Sequence, residues 1–309
     1  MLINSAAFHQ SRYVPESHLE RLDPSCPFCG CAHRRRASLL QQDPDIWMLH
    51  CTSCFACSAS RIPKLEALTN YYESYYRGSS KARIDRRVTF DSVNRFADYL
   101  ATFFLSDSIS ITNSVSILDF GGGDGSISLE LGKRLVAKGF KSIDFLVVDY
   151  NKEIVASNDN SISIRRADFL PVDESSSHFV IASAIIEHIP LPKKSLDNLI
   201  GCLLPGGLLY LRTPYMVPLS RFLAKLGIKL DPTYPAHLHD MGQDFWGAFV
   251  PKLYEDSYCR VLVSRPSIVE TSFKAHFLKA LVAYVMKAPW HLWSRWRLVG
   301  GWEVVIKRS

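Results

Sequence analysis

The chain has no stretch of roughly 18 or more uncharged apolar residues, so a membrane-spanning helix of ordinary length is not expected. Its first residues, Met1-Leu2-Ile3-Asn4-Ser5-Ala6-Ala7-Phe8, carry neither the basic n-region nor the full apolar h-region of an export signal, which predicts a cytoplasmic location. There is no internal repeat and no low-complexity tract. A strong charge imbalance is missing too: the net charge is +6, and most of the excess Lys and Arg lies from Pro251 to Ser309. So small a balance favours a solvated basic surface over a nucleic-acid groove. Cysteine is scarce beyond the first fifth of the chain, where only Cys202 and Cys259 occur.

What is present is an apolar fraction of 47% over 309 residues, enough for one large buried core and a small second domain. Six cysteines crowd the start: Cys26, Cys29, Cys31, Cys51, Cys54 and Cys57. Without an export signal, such clustering points to metal rather than disulfides. The segment from Pro24 to about Pro63 has too little apolar material for a core of its own and needs a staple. Cys26-x-x-Cys29 and Cys51-x-x-Cys54 form two chelating knuckles at close to the usual spacing. They resemble a zinc ribbon, in which four thiolates close a structural site to water. Cys31 and Cys57 are spare, and His33 or His50 are alternative ligands.

From Lys64 to about Ser110 the spacing turns helical, with Leu65, Leu68, Tyr71 and Tyr72, then Val93, Phe96, Leu100 and Phe103-Phe104, broken at Gly78-Ser79-Ser80. Beyond Ser114, short apolar runs alternate with helical segments, the pattern of a parallel sheet with crossover helices in an α/β fold. Strands are expected at Val115 to Phe120, Ile143 to Val148, Ile162 to Arg165, Phe179 to Ser183 and Leu208 to Leu211. Ile127, Leu131 and Leu135 mark one face of a helix between the first two. A further helix through Leu196, Leu199, Ile200 and Leu203 should stop at Pro205-Gly206-Gly207. Gly300 to Lys307 reads as a closing strand. The division expected is a zinc ribbon over 1–63, linker helices over 64–110 and the main domain over 111–309.

The first of these strands ends in Asp119 and leads into Gly121-Gly122-Gly123-Asp124-Gly125, a turn stripped of side chains so that a ligand can lie against backbone. A dinucleotide fingerprint wants glycine or alanine where Ser126 stands; the glycines fit G-x-G-x-G instead. Ile117 through Gly125 resembles the first motif of class I S-adenosylmethionine-dependent methyltransferases, and further matches follow in order. These are Val147-Val148-Asp149, Arg166-Ala167-Asp168-Phe169, Phe179 through Ile189 with its Glu187-His188-Ile189 step, and Leu204 through Leu209. The fourth match is similar to the branch that includes the ubiquinone-pathway enzymes. The resemblance covers about a third of the chain. It implies a Rossmann-like sheet, S-adenosylmethionine as cofactor, and a final strand inserted antiparallel. It assigns Asp119 to the methionine moiety, Asp149 to the ribose hydroxyls, Asp168 to the adenine amino group and Phe169 to its ring. Gly121, Gly122, Gly123, Tyr150 and Ser183 complete the expected cofactor pocket.

Enzymes that methylate exocyclic amines carry an N/D/S-P-P-Y-like tetrad after the fourth strand, but here that place reads Ser183-Ala184-Ile185-Ile186. The expected acceptor is therefore a hydroxyl. Transfer to oxygen needs in-line placement and a base. His188 of the Glu-His-Ile step is one candidate, and His237, His239 and Asp240 after the fifth strand are others, with Tyr215 a further pocket residue. A metal on His237, His239 and Asp240 is disfavoured, because three adjacent residues do not readily converge. The expected acceptor is a sugar, glycolipid or secondary metabolite. Two alternatives stay open: a ribosomal RNA methyltransferase whose ribbon, with Arg34-Arg35-Arg36, grips phosphate, and a non-catalytic cofactor-binding subunit. Finally, Phe273 to Leu298 combines apolar and tryptophan side chains with Lys274, Lys279, Lys287, Arg295 and Arg297, which fits a core helix, a homodimer face or a peripheral membrane contact.

Overall fold

The computed structural model describes residues 2–3, 11–76, 92–106, 114–171, 175–255, 257–269, 271–274 and 276–309; the expected break at Gly78-Ser79-Ser80 lies outside them. A two-residue strand, β1 (Leu2–Ile3), precedes the cysteine-rich module. That module holds the hairpin β2 (Arg34–Gln41) and β3 (Ile46–Cys51), then β4 (Cys57–Ala59). Two helices follow, α1 (Leu65–Tyr76) and α2 (Val93–Ser106).

The main sheet begins with β5 (Ser114–Phe120), which leads through α3 (Ser126–Ala137) to β6 (Ser142–Val148). Next come β7 (Ile162–Ala167), β8 (Ser177–Ser183), α4 (Pro192–Gly201) and β9 (Leu203–Tyr215). Beyond β9 lie α5 (Val217–Lys225), β10 (Lys229–Leu230), β11 (His239–Asp240), a π-helical turn at Phe245–Phe249 and α6 (Val250–Leu253). The chain closes with β12 (Cys259–Pro266), α7 (Phe277–Leu292) and β13 (Gly300–Arg308).

The seven-stranded sheet has the order β12-β13-β9-β8-β5-β6-β7. Its five central and distal strands run parallel, while β13 is antiparallel to both β9 and β12. The order reverses direction between β5 and β8. This is the topological switch point, where a ligand crevice opens beyond the carboxyl ends of the strands.

Each face of the sheet has its own core. On one, Phe96, Leu100 and Phe104 of α2 and Leu131 and Leu135 of α3 pack against Ile117, Phe145, Phe179 and Tyr210. On the other, Leu196, Leu199 and Ile200 of α4 meet Leu118, Val180 and Leu209. Two expected boundaries move. The helix before β9 ends at Gly201, and Leu203 is the first residue of the strand. Pro205-Gly206-Gly207 lies within β9, accommodated as an irregularity with Gly206 at φ +81° and a register shift between Ser177 and Phe179. A bulge there bends the strand without ending it.

The cysteine-rich module is built into the main body. Its four-stranded sheet has the order β11-β4-β3-β2, so two residues from the segment after β9 complete a sheet begun some 200 residues earlier in the sequence. Phe28 packs edge-on against Phe245 (centroids 4.7 Å apart), and Cys26, Cys51 and Cys54 share a buried cluster with Leu209 and Trp246. Leu68 and the partly buried Tyr72 of α1 pack with Ile46, Tyr234 and Leu238. Leu65 stays largely exposed. No helix among the described residues is long and apolar enough to cross a membrane.

Candidate active site

At the carboxyl end of β5, Asp119 is buried and its Oδ2 accepts a hydrogen bond from Ser128 Oγ at 2.7 Å. Burial raises its pKa to about 6; the Ser128 bond works against that shift, and the charge of Asp149 adds to it. The loop beyond it turns through Gly121, Gly123 and Gly125, all at positive φ, a conformation that side chains resist. Gly122 is needed for a different reason. A Cβ there would lie 2.5 Å from Cγ and Oδ2 of Asp119. The loop therefore passes directly over the carboxylate, and only bare backbone can do so.

Asp149, at the end of β6, accepts from the Gly123 N–H (2.9 Å) and the Asn151 N–H (2.7 Å), which binds the two crevice loops to one another. Arg166 reinforces this arrangement. It donates to the carbonyls of Asn151 (2.7 Å) and Asp149 (3.1 Å) and pairs with Asp168. Asp168 is thus held by an arginine at the rim, and Phe169 is 84% exposed. Tyr150, 68% exposed, stacks parallel to Tyr72 with centroids 6.1 Å apart. Ser183 ends β8 with a buried hydroxyl that has no hydrogen-bond partner. A backbone cradle that a Cβ would fill, a carboxylate at its base, a second carboxylate on the adjoining strand and an unpaired buried hydroxyl all fit S-adenosylmethionine.

Beyond β8, Ala184 takes the left-handed conformation (φ 58°), and Ile185 folds over Gly121. A short 3-10 turn, Ile186–His188, then carries Glu187 and His188. Next to this turn opens a cleft of about 880 Å³. One wall is Ala184, Glu187, His188, Arg212 and His237 from the main domain. A second is Ser38, Leu40 and Met48 from the cysteine-rich module, and a third is Leu278, Val282 and Met286 from α7.

The predicted catalytic residues have different surroundings. His188 Nδ1 donates to the Ala236 carbonyl at 2.8 Å. Burial holds its pKa down at about 4. The His237 ring lies 4.8 Å from that of His188, at the cleft. His239 is buried with both nitrogens engaged: Nε2 donates to the Ile189 carbonyl (2.9 Å), and Nδ1 accepts from Ser58 Oγ (3.0 Å). It joins the cysteine-rich module to the turn after β8. Asp240 Oδ2 accepts the backbone N–H groups of Met216 and Val217 at the start of α5, while Oδ1 has no partner. Burial raises its pKa to about 7. Tyr215 packs edge-on against Trp302 in the core. Sequence reasoning missed Arg166, and also Arg212, a buried cation in the cleft wall; its only signal is an arginine at the end of an otherwise apolar strand.

In the cysteine-rich module, Cys26, Cys29, Cys51 and Cys54 come together with all four Sγ atoms within 4.8 Å of one another. Cys26 and Cys54 are 3.5 Å apart, and Cys29 and Cys51 3.6 Å. Zinc–sulfur bonds of ~2.3 Å in a tetrahedron place sulfurs roughly 3.8 Å apart, so the set fits structural zinc. Cys31, which accepts the His33 N–H (3.4 Å), and Cys57, on β4, stand outside it.

Sheet order, glycine loop and carboxylate placement define a class I S-adenosylmethionine-dependent methyltransferase. The chain belongs to the methyltransferase-domain family, whose sequence model matches residues 82–257. Comparison with curated proteins gives no match. Among solved structures, the chain is similar to an S-adenosylmethionine-dependent methyltransferase from Archaeoglobus fulgidus, with 14% identity over 78% of this chain and 99% of that one (TM-score 0.40). It is likewise similar to one from Mesorhizobium loti, with 14% identity over 71% and 100% (TM-score 0.41). The CMeT domain of citrinin polyketide synthase is similar at 14% identity over 76% and 58% (TM-score 0.48).

Proposed function

We propose that this enzyme methylates a hydroxyl group of a sugar, glycolipid or secondary metabolite held in the cleft between the cysteine-rich module, the end of the parallel sheet and α7. The observation that carries the reading is the His188–His237 pair, set in the cleft wall immediately after the turn that covers Gly121. The prolines and tyrosine of the tetrad that receives an exocyclic amine are absent from that place, which reads Ser183-Ala184-Ile185-Ile186.

When bound, S-adenosylmethionine supplies a methyl group already activated by the positive sulfonium. The chain's part is placement and proton handling. Asp119 holds the methionine amino group, Asp149 the ribose hydroxyls, and Gly121 to Gly123 lie along the cofactor. Tyr150, Asp168, Phe169 and Ser183 complete the pocket, the exposed Phe169 closing on the adenine ring. His237 accepts the acceptor's proton, His188 sits against it as a neutral ring, and Asp240 borders the same cleft. His239 acts as the joint behind them.

We propose structural zinc on Cys26, Cys29, Cys51 and Cys54, in a ribbon over 1–63 that serves as a wall of the acceptor site. The linker helices then occupy 64–110 and the transferase domain 111–309, in the branch that includes the ubiquinone-pathway enzymes. RNA is disfavoured, because Arg34 donates internally to the carbonyls of Ser25 (3.1 Å) and Ser58 (2.9 Å) and is not offered to phosphate. Away from the cleft, α7 leaves Phe277, Leu281 and Val285 exposed, close in sequence to Lys274. That combination supports contact with an anionic membrane surface next to the cleft; a homodimer is the competing use of the face.

The test is transfer of labelled methyl groups to panels of sugars, lipid-linked glycans, polyketides and ribosomal RNA. Product analysis by mass spectrometry should show an O-methyl group. A product methylated on nitrogen, or turnover with RNA alone, would refute the proposal.

A further inference from the structure

Helix α7 is apolar around most of its circumference, yet of its 16 residues only Ala280 is buried. A helix without a polar face belongs inside protein or against lipid. Its last turns are fixed to the core: Trp290 packs edge-on against Trp302, with centroids 5.9 Å apart, and Lys287 Nζ donates to Ser267 Oγ at 3.0 Å. The preceding turns carry two apolar stripes. Leu278, Val282 and Met286, each four residues from the next, line the cleft. Phe277, Leu281 and Val285 form a second stripe about 100° round the helix, outside the cleft and exposed. Leu278 is 73% exposed and Val285 62%, so apolar surface leads from the outside of the molecule into the cleft.

Charge identifies what covers this surface. From Phe273 to Leu298 the sequence has Lys274, Lys279, Lys287, Arg295 and Arg297 and no Asp or Glu. Lys287 and Arg297 are engaged within the fold, Arg297 by Asp244 at 2.6 Å, whereas Lys274, Lys279 and Arg295 are exposed. Leu292, 95% exposed, and Trp293 extend the apolar surface at the end of the helix. Exposed apolar side chains flanked by cations, with tryptophan at the margin, match an anionic membrane surface, where apolar groups enter the acyl boundary and cations meet phosphate. A symmetric dimer through the same face would instead bring these cations against their own copies.

The cleft has the matching polarity. Glu187, His188, Arg212 and His237 come from the carboxyl ends of β8 and β9 and from the segment before β11. The cysteine-rich module, α5 and α7 contribute Leu40, Met48, Val217, Leu219, Val282 and Met286. Asp231, which also lines the cleft, accepts the N–H groups of Ser11 (3.1 Å) and Thr233 (2.8 Å). A soluble sugar needs partners for hydroxyls on every side, and apolar walls leave such groups unpaired. A lipid needs them only at its head. We propose that α7 lies in the surface of an anionic membrane and that the methyl acceptor is a lipid drawn from it, its chain along Leu278, Val282 and Met286 and its head hydroxyl at His237. The lipid acceptor rests on the O-methylation reading above; the membrane contact stands without it. The hydroxyl oxygen bonds to the methyl carbon as the carbon–sulfur bond breaks, the hydroxyl proton passes to His237, and a neutral thioether is left.

Full-length protein should cosediment with vesicles of phosphatidylcholine and phosphatidylglycerol about tenfold or more strongly than with phosphatidylcholine alone. Leu281→Glu combined with Val285→Glu should weaken that binding about tenfold or more, and Lys274→Glu about fivefold, with zinc content and S-adenosylmethionine affinity retained as evidence of folding. Calorimetry below the micelle concentration should show dodecyl glucoside binding about tenfold or more tightly than octyl glucoside, because buried methylenes add affinity. Val282→Trp, which fills the cleft, should remove that preference while vesicle binding persists; the Leu281 and Val285 double variant should keep it. No binding to anionic vesicles, equal binding by wild type and double variant, or a dimer that the double variant loses without any vesicle binding would overturn the membrane contact. A chain-length preference that is absent, or unchanged by Val282→Trp, would overturn the lipid acceptor. Methyl transfer to the amine of phosphatidylethanolamine in vesicles, with the chain-length preference still dependent on Val282, would sink the O-methylation reading and leave the lipid site standing.

Discussion

Lowering the pH from 7 to 5 should weaken binding of S-adenosylmethionine about tenfold, with the loss centred on Asp119. An ordinary aspartate with a pKa of 3.8 stays ionised throughout that interval, but burial has moved Asp119 to about 6. Its neutral form therefore takes over inside the window. Below pH 6 each unit removes about 1.4 kcal/mol from any interaction that needs the charge. The attraction at stake is larger than this: a carboxylate and an ammonium ~4 Å apart are worth roughly 4 kcal/mol at an effective dielectric of 20. The sign follows from the charge. Binding is full above pH 6, where Asp119 is anionic, and falls as the pH drops through it. Calorimetric titration at half-unit intervals measures the slope, and Asp119→Asn supplies the control, expected to be weaker by about one to two orders of magnitude and flat with pH. A wild-type affinity that is constant from pH 7 to 5 would refute the assignment, and so would an equal slope in the Asn variant.

Three further outcomes follow from the geometry. Gly122→Ala places a methyl group 2.5 Å from the Asp119 carboxylate, so cofactor affinity measured by calorimetry should fall at least tenfold, with a stability loss of about 1–3 kcal/mol in urea. Cys51→Ser should abolish stoichiometric zinc at the four-thiol site by elemental analysis. Because the cysteine-rich module walls the cleft, the substitution should raise the acceptor KM about tenfold or more while S-adenosylmethionine affinity changes about twofold or less. Trp246→Ala removes a fully buried ring whose Nε1 donates to Thr213 Oγ1 at 3.1 Å, and chemical denaturation should register a loss of about 3–5 kcal/mol.

The strand cores were readable because β5, β6 and β8 are apolar runs bounded by turns, and a strand buried on both faces has such a run as its signature. The start of β9 was less so. Pro205-Gly206-Gly207 has the composition of a stop, and only pairing with β8 reveals that the strand runs through it. Arg166 was overlooked because one arginine beside a strand end resembles any solvated charge until Asp149, Asn151 and Asp168 are seen around it.

By itself, the sequence determined the fold class, the glycine loop with Asp119 and Asp149, and the grouping of Cys26, Cys29, Cys51 and Cys54. These features depend on local spacing, which chain connectivity preserves in the folded state. Tertiary structure decided the uses of the three histidines, because burial and partners come from elements remote in sequence. His239 became a joint through Ser58 of the cysteine-rich module and Ile189 of the turn after β8. His237, two residues earlier, faces the cleft with Glu187 and His188. An extended segment would have put the two rings on one face. Instead the strand β11 begins only at His239, which leaves His237 outside the strand and free to turn toward a different neighbour.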